Sequence, residues 1–204
     1  VDKRLPDDNI YVKTTRTSRL DAAKVAAENF LKTYSGLTFK TDGTPADNQN
    51  NRNLGRYVSV VSFATGAALK RDWIDVSNAN NYQSVLNKIK ALTPDGGTNL
   101  DAGLTYAEYL LNDKDVNGAV KNVIALTDGE PTFYLSNSYW CNDDDCKSSD
   151  TVSIGNTTYY VHGSGRACSS NTKTATENAA ASVKKVSNLY TVCFGVANDK
   201  MKQW

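Results

Sequence analysis

Two segments carry oxygen donors beside sharp turns. In Thr93-Pro94-Asp95-Gly96-Gly97-Thr98-Asn99-Leu100 a glycine pair lets the backbone turn tightly ahead of a helical pattern. The Thr98 hydroxyl is left at or beside a helix N-terminus. In Val123-Ile124-Ala125-Leu126-Thr127-Asp128-Gly129-Glu130-Pro131 a short apolar strand delivers the Asp128 carboxylate straight into a turn that Gly129 permits. A hydroxyl and a carboxylate that converge suit a hard divalent cation such as Mg²⁺, which takes oxygen ligands and keeps several waters. Each segment alone also has a plain reading, with Thr98 capping its helix and Asp128 opening a turn.

The elements that must position these groups follow from periodicity. Ser18 opens a helix, with Asp21 as a short capping-box partner and Leu20, Ala23, Ala27, Phe30, Leu31 and Tyr34 as its buried stripe. Gly36 can stop it. Tyr57 to Ala64 reads as a strand and Ala67 to Val76 as a weaker strand or hairpin arm. Tyr82 to Leu92 is helical. Residues 99–111 form a helix facing inward through Leu100, Leu104, Ala107 and Leu111. Val120 to Thr127 is a strand, Thr172 to Val186 a helix and Leu189 to Val196 a strand. Residues 1–17 and 41–55 read as irregular. Strands alternating with helices predict an α/β fold with a doubly wound, mostly parallel sheet flanked by helices. Ligands of such sheets bind beyond the carboxyl ends of the strands, where Thr98 and Asp128 would stand. Residues 132–171 are too long for an ordinary strand-to-helix loop and read as a functional insertion after the Asp128 strand.

Composition narrows the partners. Lys plus Arg is 23 and Asp plus Glu 22 in 204 residues, a net charge of +1. That balance argues against a nucleic-acid or anionic-membrane binder driven by bulk charge. No apolar run approaches the roughly 18 residues of a membrane helix. No nucleophile elbow, phosphate-cradling glycine loop or suitable Cys–His pair points to an enzyme.

The two rim segments, with the helix Arg19-Leu20-Asp21-Ala22-Ala23-Lys24 and the strand Val58 to Ala64, resemble the von Willebrand factor type A family. The likeness covers most of residues 18–131 and 172–197. Within the family it points to the surface adhesins and pilus-tip proteins of Gram-positive bacteria. The resemblance implies a metal-ion-dependent adhesion site in which Thr98 and Asp128 hold Mg²⁺, or Mn²⁺ or Ca²⁺. Gly97, Asn99, Gly129 and Glu130 would flank it, and a carboxylate from a protein ligand would complete the coordination. The family's first loop, Asp-x-Ser-x-Ser, is absent from the 204 residues. Cation binding by this chain alone is therefore expected to be weak or absent. The chain is expected to be one domain, 1–204, truncated at both ends and joined to other domains of a longer polypeptide. The family's first strand, central in the sheet, would come from sequence beyond it, from a second piece, or not at all. The implied setting is extracellular, on a cell wall.

The insertion holds further candidates. Tyr139 and Trp140 are of the type that dominates protein interfaces when exposed. Cys141, Cys146, Cys168 and Cys193 are expected as disulfides in an oxidising compartment; of the three connectivities that four cysteines allow, Cys141 with Cys146 and Cys168 with Cys193 is favoured. A zinc site of Cys141, Cys146, His162 and Cys168 competes. His162 otherwise reads as a surface loop residue, and Asp143, Asp144 and Asp145 as a solvated acidic loop rather than a Ca²⁺ site. Three function classes stay open: a metal-dependent protein-binding module, a metal-independent structural domain, and a hydrolase using Asp128 and His162.

Overall fold

The computed structural model describes residues 2–4, 11–13, 18–47, 49–113, 118–140 and 150–194, the first two stretches as backbone only. The chain opens with β1 (Asp2–Arg4) and β2 (Tyr11–Lys13), paired antiparallel where irregular chain was expected. Among the described residues they pair only with each other.

Helix α1 (Arg19–Ser35) starts as the capping signal requires. Ser18 Oγ accepts the Asp21 N–H at 3.0 Å. The Asp21 carboxylate accepts the Ser18 hydroxyl at 2.6 Å. Gly36, at φ 62°, adopts the left-handed conformation that ends the helix. The expected stripe is buried chiefly through Leu31. Phe30 is 42% exposed and stacks on Tyr34 instead, with ring centroids 5.4 Å apart.

Strands β3 (Tyr57–Phe63) and β4 (Ala67–Asp75) form an antiparallel hairpin closed by the Ala64 N–H donating to Gly66 O at 2.7 Å. A link this short cannot make the crossover that parallel strands need. Helix α2 (Ala79–Lys90) begins three residues before the expected start because Asn78 caps it, accepting from the N–H groups of Asn80 and Asn81. Its face Tyr82, Val85, Leu86 and Ile89 packs on Leu31, Leu37 and Val76 in one core cluster. Helix α3 (Leu100–Asp113) and strand β5 (Asn122–Thr127) follow.

The insertion is a small sheet of its own. Strands β6 (Tyr134–Ser136), β7 (Thr151–Ile154) and β8 (Thr157–His162) pair antiparallel in the order β6-β8-β7. They enclose Val152, Ile154 and Val161. Helix α4 (Ser170–Val186), capped by Ser169, and strand β9 (Asn188–Cys193) complete the described chain.

The architecture is α/β, but among the described residues it is not one doubly wound sheet. The parallel pairing among them is β5 with β9, from Asn122 opposite Asn188 to Thr127 opposite Cys193. The β3–β4 hairpin stands apart from that pair. A cleft of about 130 Å³ separates them, walled by Val61 and Phe63 of β3 and by Val123 and Ala125 of β5. Leu100, Leu104 and Leu111 of α3 also line it. The second core cluster, Leu100, Leu104, Ala125, Ala179 and Val183, joins α3, β5 and α4 beneath this cleft.

Leu104 is 3% exposed at the centre of that cluster. Leu104→Ala is expected to lower unfolding free energy by about 2–5 kcal/mol. Urea denaturation followed by circular dichroism checks this, and a loss under about 1 kcal/mol would show the site collapsing freely around the deletion.

Candidate functional site

Three segments meet at one edge of the molecule, and Asn99 ties two of them. Its backbone N–H donates to Ala64 O at 2.7 Å, just past the end of β3. Its Nδ2 donates to Thr65 O at 2.9 Å, and its Oδ1 accepts the Ala102 N–H at 2.9 Å. Asn99 is thus the cap of α3 and has no exposure to solvent. The capping role expected as the plain alternative for Thr98 falls to its neighbour.

Thr98 is left outside the helix with its backbone engaged elsewhere. Its N–H donates to Thr132 Oγ1 at 3.0 Å. Its carbonyl oxygen accepts from Thr132 N at 2.7 Å and Phe133 N at 3.2 Å. The hydroxyl points toward the end of β5: Oγ1 lies 3.5 Å from where a Cβ on Gly129 would stand. The third segment, Asp128–Gly129, is therefore beside Thr98. Gly97 is required by packing, since a Cβ there would sit 2.5 Å from Phe133 Cε2. Its N–H donates to Thr65 Oγ1 at 3.3 Å.

Asp128 is exposed. Its backbone oxygen accepts from Arg19 Nη1 at 3.1 Å, which brings the start of α1 to the same rim. Among the described residues nothing bonds the Asp128 carboxylate or the Thr98 hydroxyl. Both have the oxygen chemistry of a Mg²⁺ ligand. They are few for one ion, and most of its positions would be filled by water or by a visiting carboxylate. Among the described residues no group of three or more His, Cys, Asp or Glu side chains converges. Glu130 is half-buried next to the rim.

The other candidates are dispersed. Tyr139 and Trp140 are 60% and 81% exposed and meet edge to face at 5.4 Å. Tyr139 also meets Tyr160 of β8 at 5.5 Å. His162 is not a surface loop residue: it is buried on β8, edge-on to Tyr134 at 5.5 Å. Among the described residues Cys168 and Cys193 are not joined by the expected disulfide, and Cys168 Sγ donates to Ser169 O at 3.7 Å. Cys141, Cys146, Asp143, Asp144 and Asp145 lie outside the described residues.

Sequence reasoning did not single out Asp101. It is 6% exposed in the first turn of α3, and its Oδ2 accepts the Leu135 N–H of β6 at 2.7 Å. Thr105 Oγ1 donates to Oδ1 at 3.4 Å. Burial pushes the carboxyl pKa up, against the lowering effect of the Leu135 and Thr105 donors. An acidic residue just inside a helix start looks like a dipole partner in the sequence, and nothing local reveals its long-range acceptor role.

A family model described as von Willebrand factor type A domain matches residues 8–130, more than half of the chain. No curated protein sequence matches it. Among solved structures, a point mutant of the PilB minor pilin from Streptococcus sanguinis superposes with a TM-score of 0.58 at 18% identity. That match covers 93% of this chain and 46% of that one. The pilus adhesin SpaC from Lactobacillus rhamnosus GG superposes in its open conformation with a TM-score of 0.54 at 20% identity, over 85% of this chain and 22% of that one. A second form of SpaC gives 0.52 at 20% identity, over 86% and 22%. The chain thus spans less than half the length of these solved chains.

The raised pKa of Asp101 makes a signed prediction. A carboxyl held above its unfolded value, about 3.9, stabilises the fold below that value and loses the contribution as pH rises through the folded value. Urea midpoints of the wild type minus those of Asp101→Asn should therefore fall as pH rises from about 4. A flat or rising difference would contradict the burial argument.

Proposed function

Since the chain belongs to the von Willebrand factor type A family, we propose that it is a non-enzymatic adhesion module that recognises a protein ligand through a divalent cation at Thr98 and Asp128. The observation that carries this reading is the pair of oxygen donors on one rim, neither bonded to a protein partner among the described residues. The cation, Mg²⁺ or alternatively Mn²⁺ or Ca²⁺, supplies a positive centre with open positions, to which an acidic side chain of the ligand binds. The chain's own residues do the positioning. Asn99 fixes the start of α3, Gly97 admits the Phe133 ring beside the Thr98 loop, and Gly129 lies next to the hydroxyl. The insertion, with Tyr139 and Trp140 exposed, sets specificity.

The setting we propose is a Gram-positive cell surface, as part of a longer wall-anchored pilus or adhesin polypeptide. Support comes from the fold shared with a minor pilin and a pilus adhesin. Among the described residues no helix is long and apolar enough to cross a membrane. The doubly wound sheet of this reading takes one more apolar strand, seated in the cleft between β3 and β5. A polypeptide that supplies such a strand should show a higher urea midpoint than residues 1–204, and an unchanged midpoint would leave the two small sheets as the final architecture.

One observation favours the alternative of a metal-independent structural domain. The Arg19 guanidinium sits against the Asp128 backbone and places a fixed positive charge on the rim. Calorimetric titration with Mn²⁺ and Mg²⁺ separates the readings. A cation site predicts binding that Thr98→Ala and Asp128→Ala each weaken by roughly tenfold or more, and that Arg19→Ala strengthens a few-fold by removing a like charge. No heat from the wild type or from Arg19→Ala, in a domain whose sheet is complete, would favour the structural domain.

A further inference from the structure

We propose that Asp101 and the Thr98 backbone form a clamp that makes the insertion and the Thr98 loop a single moving body, so that a load on the insertion is felt at the Thr98 hydroxyl. This rests on the adhesion reading for its purpose but not for its geometry. The clamp has two teeth, one turn of α3 apart. At the first, Thr98 N–H donates to Thr132 Oγ1 at 3.0 Å, and Thr98 O accepts from Thr132 N at 2.7 Å and Phe133 N at 3.2 Å. At the second, Leu135 N–H donates to Asp101 Oδ2 at 2.7 Å. Residues 132–135 are thereby laid along the first turn of α3 as a strand is laid along its neighbour.

Packing locks the arrangement. The Phe133 ring rests against Gly97 so closely that any side chain at 97 would collide with it. Beyond the clamp, Leu135 and Ser136 pair with Val161 and Tyr160 of β8. Tyr160 in turn meets Tyr139, which meets Trp140. The exposed aromatic pair is thus joined to Thr98 through a contiguous run of backbone pairing and ring contacts.

The second tooth is the more informative. Asp101 is buried, and the donor that meets its Oδ2 is a backbone amide on a different structural unit. Swinging the insertion away from α3 would break this bond together with those of the first tooth. Coupling of this kind is reciprocal: whatever fixes Thr98 also steadies residues 132–136.

Amide hydrogen exchange on the 204-residue chain tests the clamp without any ligand. Asp101→Ala should speed exchange roughly tenfold or more at Leu135 and also at Thr98 and Asn99. Amides of Val85 and Leu86 in α2 serve as an internal reference and should keep their rates. Asp101→Asn, whose amide oxygen can still accept from Leu135, should stay near the wild type at both teeth. Thr132→Val, which removes the hydroxyl acceptor but keeps the shape, should speed exchange at Thr98 and also at Leu135. Acceleration confined to the mutated tooth in both Asp101→Ala and Thr132→Val would overturn the proposal, because the insertion would then be anchored at two independent points. A separate arm adds Mn²⁺ to the wild type. Slower exchange at 132–135 supports reciprocity, and binding without any such change counts against the clamp. If Mn²⁺ does not bind this chain, which lacks the first loop, the ligand-free arm alone decides the clamp, and the cation reading is decided by the titration of a domain whose sheet is complete.

Discussion

The side chain of Asn99 has no contact with water, so both ends of its amide must find partners within the protein or carry a penalty of about 1–3 kcal/mol each. They find them on two different elements. The carboxamide oxygen accepts from the first turn of α3, and the nitrogen donates to the chain just after β3. A helix start and a strand end are locked by one residue, and much at the rim follows from that. With position 99 committed to capping, the preceding hydroxyl at 98 is left outside the helix. With the β3 end fixed, Thr65 supplies a further acceptor for the Gly97 N–H. The order of roles in Gly-Gly-Thr-Asn is therefore physical: space, space, half-buried oxygen ligand, buried anchor.

How much of this could be read beforehand varies with the range of the interactions. The helices were legible because their signals are local. Ser18 and Gly36 mark the limits of α1, and the spacing of Leu100, Leu104 and Leu111 marks the inner side of α3. The adjacency of Thr98 and Gly129 followed from the rule that loops gather at one end of an alternating chain. The antiparallel sense of β3 and β4 agrees with one of the two readings of Ala67 to Val76, a hairpin arm, and is imposed by their short connection. The insertion was least legible. Its strands are three to six residues long with many Thr, Ser and Tyr, and the burial of His162 and Asp101 depends on partners far away in sequence. Helix periodicity cannot reveal such pairs. A buried acid reads as a surface acid until the strand that covers it is in place.

The charge arrangement at the rim is mixed rather than uniformly acidic. The Asp128 carboxylate is exposed and the Arg19 guanidinium lies against the same residue's backbone. A guanidinium so close weakens attraction for a free cation and strengthens attraction for an acidic group. Asp101, by contrast, is buried and accepts from Leu135 and Thr105.

The insertion leaves the body at Thr132 and comes back at Gly165, whose N–H donates to Thr132 O at 3.3 Å. Its two ends are thus one hydrogen bond apart, while its sheet rests on α3 through the Leu135–Asp101 bond and the packing of Tyr106. Doubling the length of a flexible loop between fixed ends costs only about 0.6 kcal/mol. The length of the excursion between these fixed ends is therefore cheap to vary, whereas its seat on α3 is set by particular residues.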